Sequence, residues 1–425
     1  MNALNSKSPI WHPFTQHALT PDIPEVVSGA GAWLTKKDGT RLLDAISSWW
    51  VITHGHCHPR IVAAIQAQAA ELDQVIFAGY SHPPAEAVAK RLVEIAASSL
   101  KEAGLNHVFF SDSGSTAVEV ALKMALGYRR AQEKHRTRII AMDHAYHGDT
   151  IGTMAAGARG VFNAAYEPLL FDVGRLPFPH DDGDETLAAL ERLAPEAAAL
   201  IVEPLLLGAG GMLTYAPEIL AAMKRICEKH GTLFIADEVL TGFGRTGTLF
   251  ACEQAGIAPD ILCLAKGLSG GSLPLAATLA TPAIFAAHYS TDRSRTFFHS
   301  SSFTANPIAC AAAAANLDIW RDEQVAARVT TLCGWQEARL AQFQGDARFS
   351  GLRRAGTVTA LDLKVPDPGY LAGQGLKLAQ FFADRGLLLR PLGNTIYVMP
   401  PYCVTATELD LVYDAIRDAA GHFVA

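Results

Sequence analysis

From about residue 107 the chain alternates short β-branched or aromatic runs with longer stretches whose apolar positions recur every three or four residues. Segments 107–110, 138–142, 199–203, 232–237 and 260–265 read as strands, and 275–281 is a further candidate. Several of these runs are apolar on both faces, as strands buried between two helical layers must be. A Ser/Gly turn follows the first of them, and the spacing predicts a helix over 115–132. Alternation of this kind predicts an α/β fold with a mostly parallel sheet flanked by helices.

Near residue 317 the pattern changes. A long charged helix is expected over 318–344, then a strand over 357–363, a helix over 371–385, strands over 387–390 and 395–399, and a closing helix over 406–420. These pieces make a small α+β domain. The first fifty or so residues carry turns and a hairpin signal at Lys37-Asp38-Gly39-Thr40, and are expected to join that domain in space. The division expected is therefore an N-terminal segment over 1–55, a large domain over 56–317 and a small domain over 318–425.

Composition narrows the function. At 425 residues the chain exceeds the ~250–300 at which single cores stop growing, which agrees with two domains. Half the residues are hydrophobic and 18% are charged, which argues against disorder. The net charge is 35 − 42 = −7 with no long basic run, so nothing points to nucleic acid. Segments 267–291 and 296–317 are uncharged and long enough to suggest membrane spans, but Pro274, Pro282 and Pro307 interrupt them. They are expected to be buried interior and subunit contacts instead, in a protein that does not enter a membrane. The stretch from Met1 to Pro9 has no apolar core of a secretory signal, so a cytoplasmic location is expected. Seven cysteines without a C-x-x-C pair predict reduced thiols. His12, His54, His56 and His58 surround a proline and two glycines without an acidic partner, so loop and cap roles are expected and no metal site.

Asp237 and Glu238 end an apolar strand, and Lys266 lies 266 − 237 = 29 residues later at the end of the next. Ligands of open α/β sheets bind at the carboxyl ends of strands. A carboxylate there can keep a pyridine nitrogen protonated, and an amine beside it can form an imine with an aldehyde. Strand ends are polar in any fold, so this pair alone decides little. The segment Ser111-Asp112-Ser113-Gly114-Ser115-Thr116 adds an anion site, because a helix N-terminus offers free N–H groups and Gly114 lets the backbone come close. A phosphate, a ring nitrogen and an aldehyde are then all addressable, which are the three handles of pyridoxal 5'-phosphate. Tyr146, in Tyr146-His147-Gly148, can stack on the ring while Gly148 clears space. The glycine-rich segment from Gly242 to Gly247 is not a dinucleotide fingerprint, since no helical pattern follows it. Its Arg245 is read as a structural or substrate-facing charge beside the cofactor.

The segments Phe234-Ile235-Ala236-Asp237-Glu238-Val239, Gly242-Phe243-Gly244-Arg245-Thr246-Gly247 and Asp260-Ile261-Leu262-Cys263-Leu264-Ala265-Lys266-Gly267, with Gly270-Gly271, resemble the class III aminotransferases of pyridoxal phosphate fold type I. That resemblance implies a seven-stranded, mostly parallel sheet in the large domain. It makes Lys266 the lysine that carries the cofactor, Asp237 the partner of the ring nitrogen, Tyr146 the stacking ring, and Gly114 and Ser115 phosphate ligands. It also implies a homodimer with shared sites, in which Ser302 reaches the phosphate of the neighbouring subunit. Ser300-Ser301-Ser302 replaces the more usual Gly-Pro-Thr there.

Within class III, Trp11-His12-Pro13-Phe14-Thr15-Gln16, Asp44-Ala45-Ile46-Ser47-Ser48-Trp49-Trp50, His54-Gly55-His56, Leu389-Arg390-Pro391-Leu392-Gly393 and Tyr397-Val398-Met399-Pro400-Pro401-Tyr402 are similar to the biotin-pathway branch, which converts 8-amino-7-oxononanoate to 7,8-diaminononanoate. This implies that Trp49 lines the substrate channel, that Arg390 holds the keto acid carboxylate, and that Phe14 lies near the substrates where many members have tyrosine. S-adenosylmethionine is the expected donor, because a flat aromatic wall suits an adenine and a sulfonium. Lysine as donor, another ω-amino-acid or diamine aminotransferase, and a non-catalytic cofactor-binding protein stay open as alternatives.

Overall fold

The structure, a computed structural model, describes residues 8–20, 22–100, 104–132 and 135–424. Met1 to Lys7 of the expected N-terminal segment and Ala425 lie outside them. Seven strands form the main sheet: β1 His107–Ser111, β2 Arg138–Met142, β3 Gly174–Leu176, β4 Ala197–Val202, β5 Leu233–Asp237, β6 Ile261–Leu264 and β7 Ala276–Ala280. Their order across the sheet is β1-β7-β6-β5-β4-β2-β3. Every pairing is parallel except those of β7, which runs antiparallel to both neighbours. The mostly parallel seven-stranded sheet expected from the resemblance is therefore present. β4, β5, β6 and β7 are buried along their whole length, which explains their unbroken apolar runs. β3 spans three residues, too few to leave a periodic signal.

Helix α1, Gly114–Ala131, starts one residue before its expected position. The Ser113 hydroxyl accepts from the Thr116 amide and the Thr116 hydroxyl accepts from the Ser113 amide, a reciprocal cap that fixes where the helix begins. Its face of Ala117, Val118, Ala121 and Ala125 packs with Ile139, Ala199, Ile235 and Cys263 from the sheet. That packing holds the first turn of α1 at the carboxyl edge of the strands.

Helix α2, Pro307–Asp322, connects two cores. Ala309, Ala313 and Leu317 pack with the large sheet, whereas Ala312 and Ile319 pack with the C-terminal elements. The chain thus passes residue 317 inside a continuous helix. The single helix expected over 318–344 is in fact divided: α2 ends at Asp322 and a second helix covers Val325–Ala341. Gln324 between them has φ of 53°, a left-handed conformation that stops the first helix.

The C-terminal part holds an antiparallel sheet of Phe349–Ala355, Val358–Leu363 and Thr395–Val398, with helices Gln374–Ala383 and Ala406–Phe423. The first of these strands had no sequence signature, because Phe-Ser-Gly-Leu-Arg-Arg-Ala does not alternate and its pairing shifts between Ser350 and Arg353. Near the N-terminus, Val26–Ala30, Trp33–Lys36 and Arg41–Asp44 form a sheet whose fourth strand is Leu387–Leu388, paired parallel to Leu43 and Asp44. The hairpin signal at Lys37 to Thr40 is a tight turn, with Gly39 at φ of 85°. Among the described residues no helix is long and apolar enough to cross a membrane.

Candidate active site

β5 and β6 are parallel neighbours, with Asp237 opposite Cys263, so the residues just past them emerge at one edge of the sheet. A cavity of about 370 Å³ opens there. Asp112, Ser113, Gly114 and Ser115 line it together with Lys266, Trp50, Glu203, Asp237, Tyr146 and His147. The structure thus brings together five residues expected at the cofactor: Gly114, Ser115, Tyr146, Asp237 and Lys266.

Strand alternation separates the two acids that end β5. Asp237 lines the cavity; its Oδ2 lies 2.8 Å from His147 Nδ1 and its Oδ1 accepts from the Val239 amide. Glu238 is fully buried elsewhere, accepting from the amides of Ala251 and Cys252. Lys266 has φ of 44°, a left-handed conformation costly for a lysine, and its Nζ lies 4.8 Å from the centre of the Trp50 ring. Burial lowers its pKa to about 8, against the pull of Asp237 and Glu203, which favour the charged amine.

Two residues of this cavity were not singled out in the sequence. Glu203 follows β4, 4% exposed, and receives hydrogen bonds from the amides of Tyr146 at 2.9 Å and Gly208 at 3.0 Å. Burial raises its pKa to about 7, with Asp237 adding to the shift. Its place just past a strand that shares the sheet edge with Asp237 was the available signal. His147 was quoted as part of a segment, but its bond to Asp237 could not be read from spacing.

The residues present fit pyridoxal phosphate. The first-turn N–H groups of α1 have no helical partners and face an anion site. A Cβ on Gly114 would come 2.6 Å from Val239, so glycine is required for that close approach. Gly148 also lines the cavity, and a Cβ there would lie 2.1 Å from the Ser115 hydroxyl. His147 Nε2 is buried with no hydrogen-bond partner among the described residues.

Through Trp50 and Tyr146, which line both, this cavity adjoins a second of about 280 Å³. Phe14, Trp49, Phe162, Tyr370 and Arg390 surround it. The Arg390 guanidinium lies 5.3 Å from the centre of the Trp49 ring and donates to the Phe14 carbonyl at 3.1 Å. Asp44, buried, accepts from the Ser48 amide and lies 2.8 Å from His56 Nε2. It thereby holds a turn in which Ser47, Ser48 and Trp50 all have positive φ, and which presents Trp49 and Trp50 to the second cavity.

Arg245 requires a correction. It lines neither cavity; it is 1% exposed, and its guanidinium donates to the carbonyls of Ile52 at 2.8 Å and Pro400 at 3.0 Å. A buried guanidinium committed to backbone acceptors supports the cavity wall and cannot face a substrate. Ser302 also lies outside both cavities of its own chain, on an exposed segment with Phe298 and Phe303.

Residues 18–420 match the family model of class III aminotransferases. The chain belongs to that family. The class III enzyme is a pyridoxal phosphate-dependent aminotransferase, and its relatives are similar along nearly their whole length. An adenosylmethionine-8-amino-7-oxononanoate aminotransferase of Synechococcus elongatus is 49% identical, over 96% of this chain and 97% of that one. The crystal structure of the enzyme of the same name from Methanocaldococcus jannaschii superposes with a TM-score of 0.93 at 32% identity, covering 98% of both chains. An amine transaminase from an uncultivated Pseudomonas species, in its pyridoxal phosphate-bound form, superposes at 0.91 with 34% identity, covering 99% of this chain and all of that one.

The lowered pKa of Lys266 gives a pH dependence. Only the neutral amine attacks an aldehyde, so the rate at which the class III apoenzyme captures pyridoxal phosphate should rise as pH increases through about 8 and then level off. Asp237→Asn removes a charge that holds the ammonium form, so the midpoint should move lower. Stopped-flow absorbance across pH checks both, and a midpoint near the ordinary lysine value of 10.5 would show that the amine is not desolvated.

Proposed function

We propose that this aminotransferase converts 8-amino-7-oxononanoate to 7,8-diaminononanoate in biotin biosynthesis, with S-adenosylmethionine as amino donor, as a cytoplasmic homodimer. One observation carries the reading: the aromatic cavity that holds Arg390 adjoins the cavity of Lys266 at Trp50 and Tyr146, which line both. An elongated keto acid can then place its carbonyl at the lysine and its carboxylate at an arginine. Arginine suits that end because its planar fork meets a carboxylate with two parallel bonds. The name of the Synechococcus relative, 49% identical, supports the same substrate.

In this reading Gly114 and Ser115 hold the cofactor phosphate, joined by Ser302 of the partner subunit. Asp237 holds the ring nitrogen, Tyr146 covers the ring and Lys266 carries the cofactor covalently. Exposed aromatic residues around Ser302, with Phe298 71% and Phe303 62% exposed, support a subunit contact there.

Bound pyridoxal phosphate supplies an electron-withdrawing ring that accepts the electrons left when the donor loses its α-proton. Lys266 Nζ, neutral above about pH 8, takes that proton and later returns one to the acceptor carbon. Asp237 meets the ring nitrogen, with His147 fixing its orientation. Trp50 and Tyr146, which line both cavities, flank the substrate between its two ends. Trp49 and Phe14, whose ring centroids are 5.6 Å apart and whose planes are tilted by 56°, offer two aromatic faces to adenine and sulfonium in the donor half of the reaction.

Turnover of 8-amino-7-oxononanoate should proceed with S-adenosylmethionine. Loss of the cofactor's visible band with lysine alone, and none with S-adenosylmethionine at millimolar concentration, would overturn the donor. Transamination of other amines without any of 8-amino-7-oxononanoate would overturn the acceptor. Arg390→Ala should weaken the acceptor half-reaction by at least about tenfold while sparing the donor half-reaction. Single-turnover kinetics separate the two, and equal losses would place Arg390 in support of the fold or the cofactor.

A further inference from the structure

Helix α2 is rich in alanine, and in its middle stands a fully buried asparagine, Asn316. Asparagine is a poor helix former, and a buried amide is costly unless each polar atom is bonded. Here each is. Asn316 Nδ2 donates to the carbonyls of Gly267 at 3.0 Å and Leu268 at 2.9 Å, the two residues after Lys266. Carbonyl oxygens only accept, so the amide nitrogen must face them and Oδ1 must turn the other way. Oδ1 lies 2.8 Å from His54 Nε2, which must therefore carry the proton. His54 Nδ1 is buried with no partner among the described residues, so nothing draws the proton to that side. His54 is itself 4% exposed, and its pKa is lowered to about 4 by burial, which keeps the ring neutral.

The turn held in this way is a short 3-10 segment, Lys266–Ser269, in which the Gly267 carbonyl also accepts from the Gly270 amide at 3.0 Å, and its first residue has the strained φ of 44°. We propose that His54 and Asn316 are positioning residues for Lys266: the histidine fixes the amide of Asn316, and that amide pins the two carbonyls that keep the lysine backbone in its left-handed conformation. His54 also follows the segment carrying Trp49 and Trp50, so the pair couples the substrate wall to the lysine. This rests on Lys266 being the cofactor lysine.

The chemistry of the histidine supplies the test. A glutamine amide nitrogen falls where histidine has Nε2, whereas that of asparagine falls near Nδ1, too short to reach Asn316. Full-length apoenzymes carrying His54→Gln, His54→Asn or Asn316→Leu are mixed with pyridoxal phosphate, and capture is followed by absorbance. Borohydride reduction and peptide mapping then identify the lysine. His54→Gln should capture within about threefold of the wild-type rate, and the other two on the order of 10- to 100-fold slower, since small misplacements of a reacting group cost that much. Equal rates for His54→Gln and His54→Asn overturn the proposal. Loss of folding in His54→Asn alone does so too, because the pair would then serve folding. Mapping to a lysine other than Lys266 in the wild type overturns instead the reading on which the proposal rests.

Discussion

The site depends on keeping one amine poorly hydrated beside carboxylates that would otherwise hold it charged. Lys266 is drawn toward its neutral form by burial and toward its ammonium form by Asp237 and Glu203, and burial wins, lowering its pKa to about 8. That balance constrains the neighbours. Asp237 is oriented by His147 and the Val239 amide. Glu203 is tied to two backbone amides while burial raises its own pKa to about 7, so it adds little negative charge beside the lysine below that pH. A more exposed lysine, with the ordinary pKa of 10.5, would reach its neutral form only at much higher pH and would be a base less often.

The sheet makes that balance possible. Parallel β5 and β6 deliver Asp237 and Lys266 to the same edge, and the capped first turn of α1 meets them there with free N–H groups. The second cavity belongs to different elements: the strained turn held by Asp44 supplies Trp49 and Trp50, and the segment after Leu387–Leu388 supplies Arg390. The parallel pairing of Leu387 and Leu388 with Leu43 and Asp44 brings those pieces together. The second cavity is thus built where the N-terminal and C-terminal parts meet, and the first at the edge of the large sheet.

That Gly114, Ser115, Asp237 and Lys266 would meet at one cavity was legible in the sequence because they follow strands, where apolar runs give way to polar ones. Asp237, Lys266 and the turn before α1 announce themselves by position. Trp49 and Arg390 do not; their place followed only from resemblance, since contacts across more than three hundred residues leave no local pattern. Sequence left Arg245 either structural or substrate-facing, and its bonds to the backbone carbonyls of Ile52 and Pro400, distant in the chain, favour the structural role. The break at Gln324 was invisible for a related reason, as a left-handed glutamine has no composition signal.

The account stands or falls on Lys266 as the cofactor lysine. The direct measurement is borohydride reduction of the holoenzyme, followed by peptide mapping, in the wild type and in Lys266→Ala. The account predicts a single pyridoxyl-lysine at position 266 in the wild type, and in the variant no covalent attachment, no visible band and almost no turnover. Retained transamination in Lys266→Ala, with the label on another lysine, would contradict it.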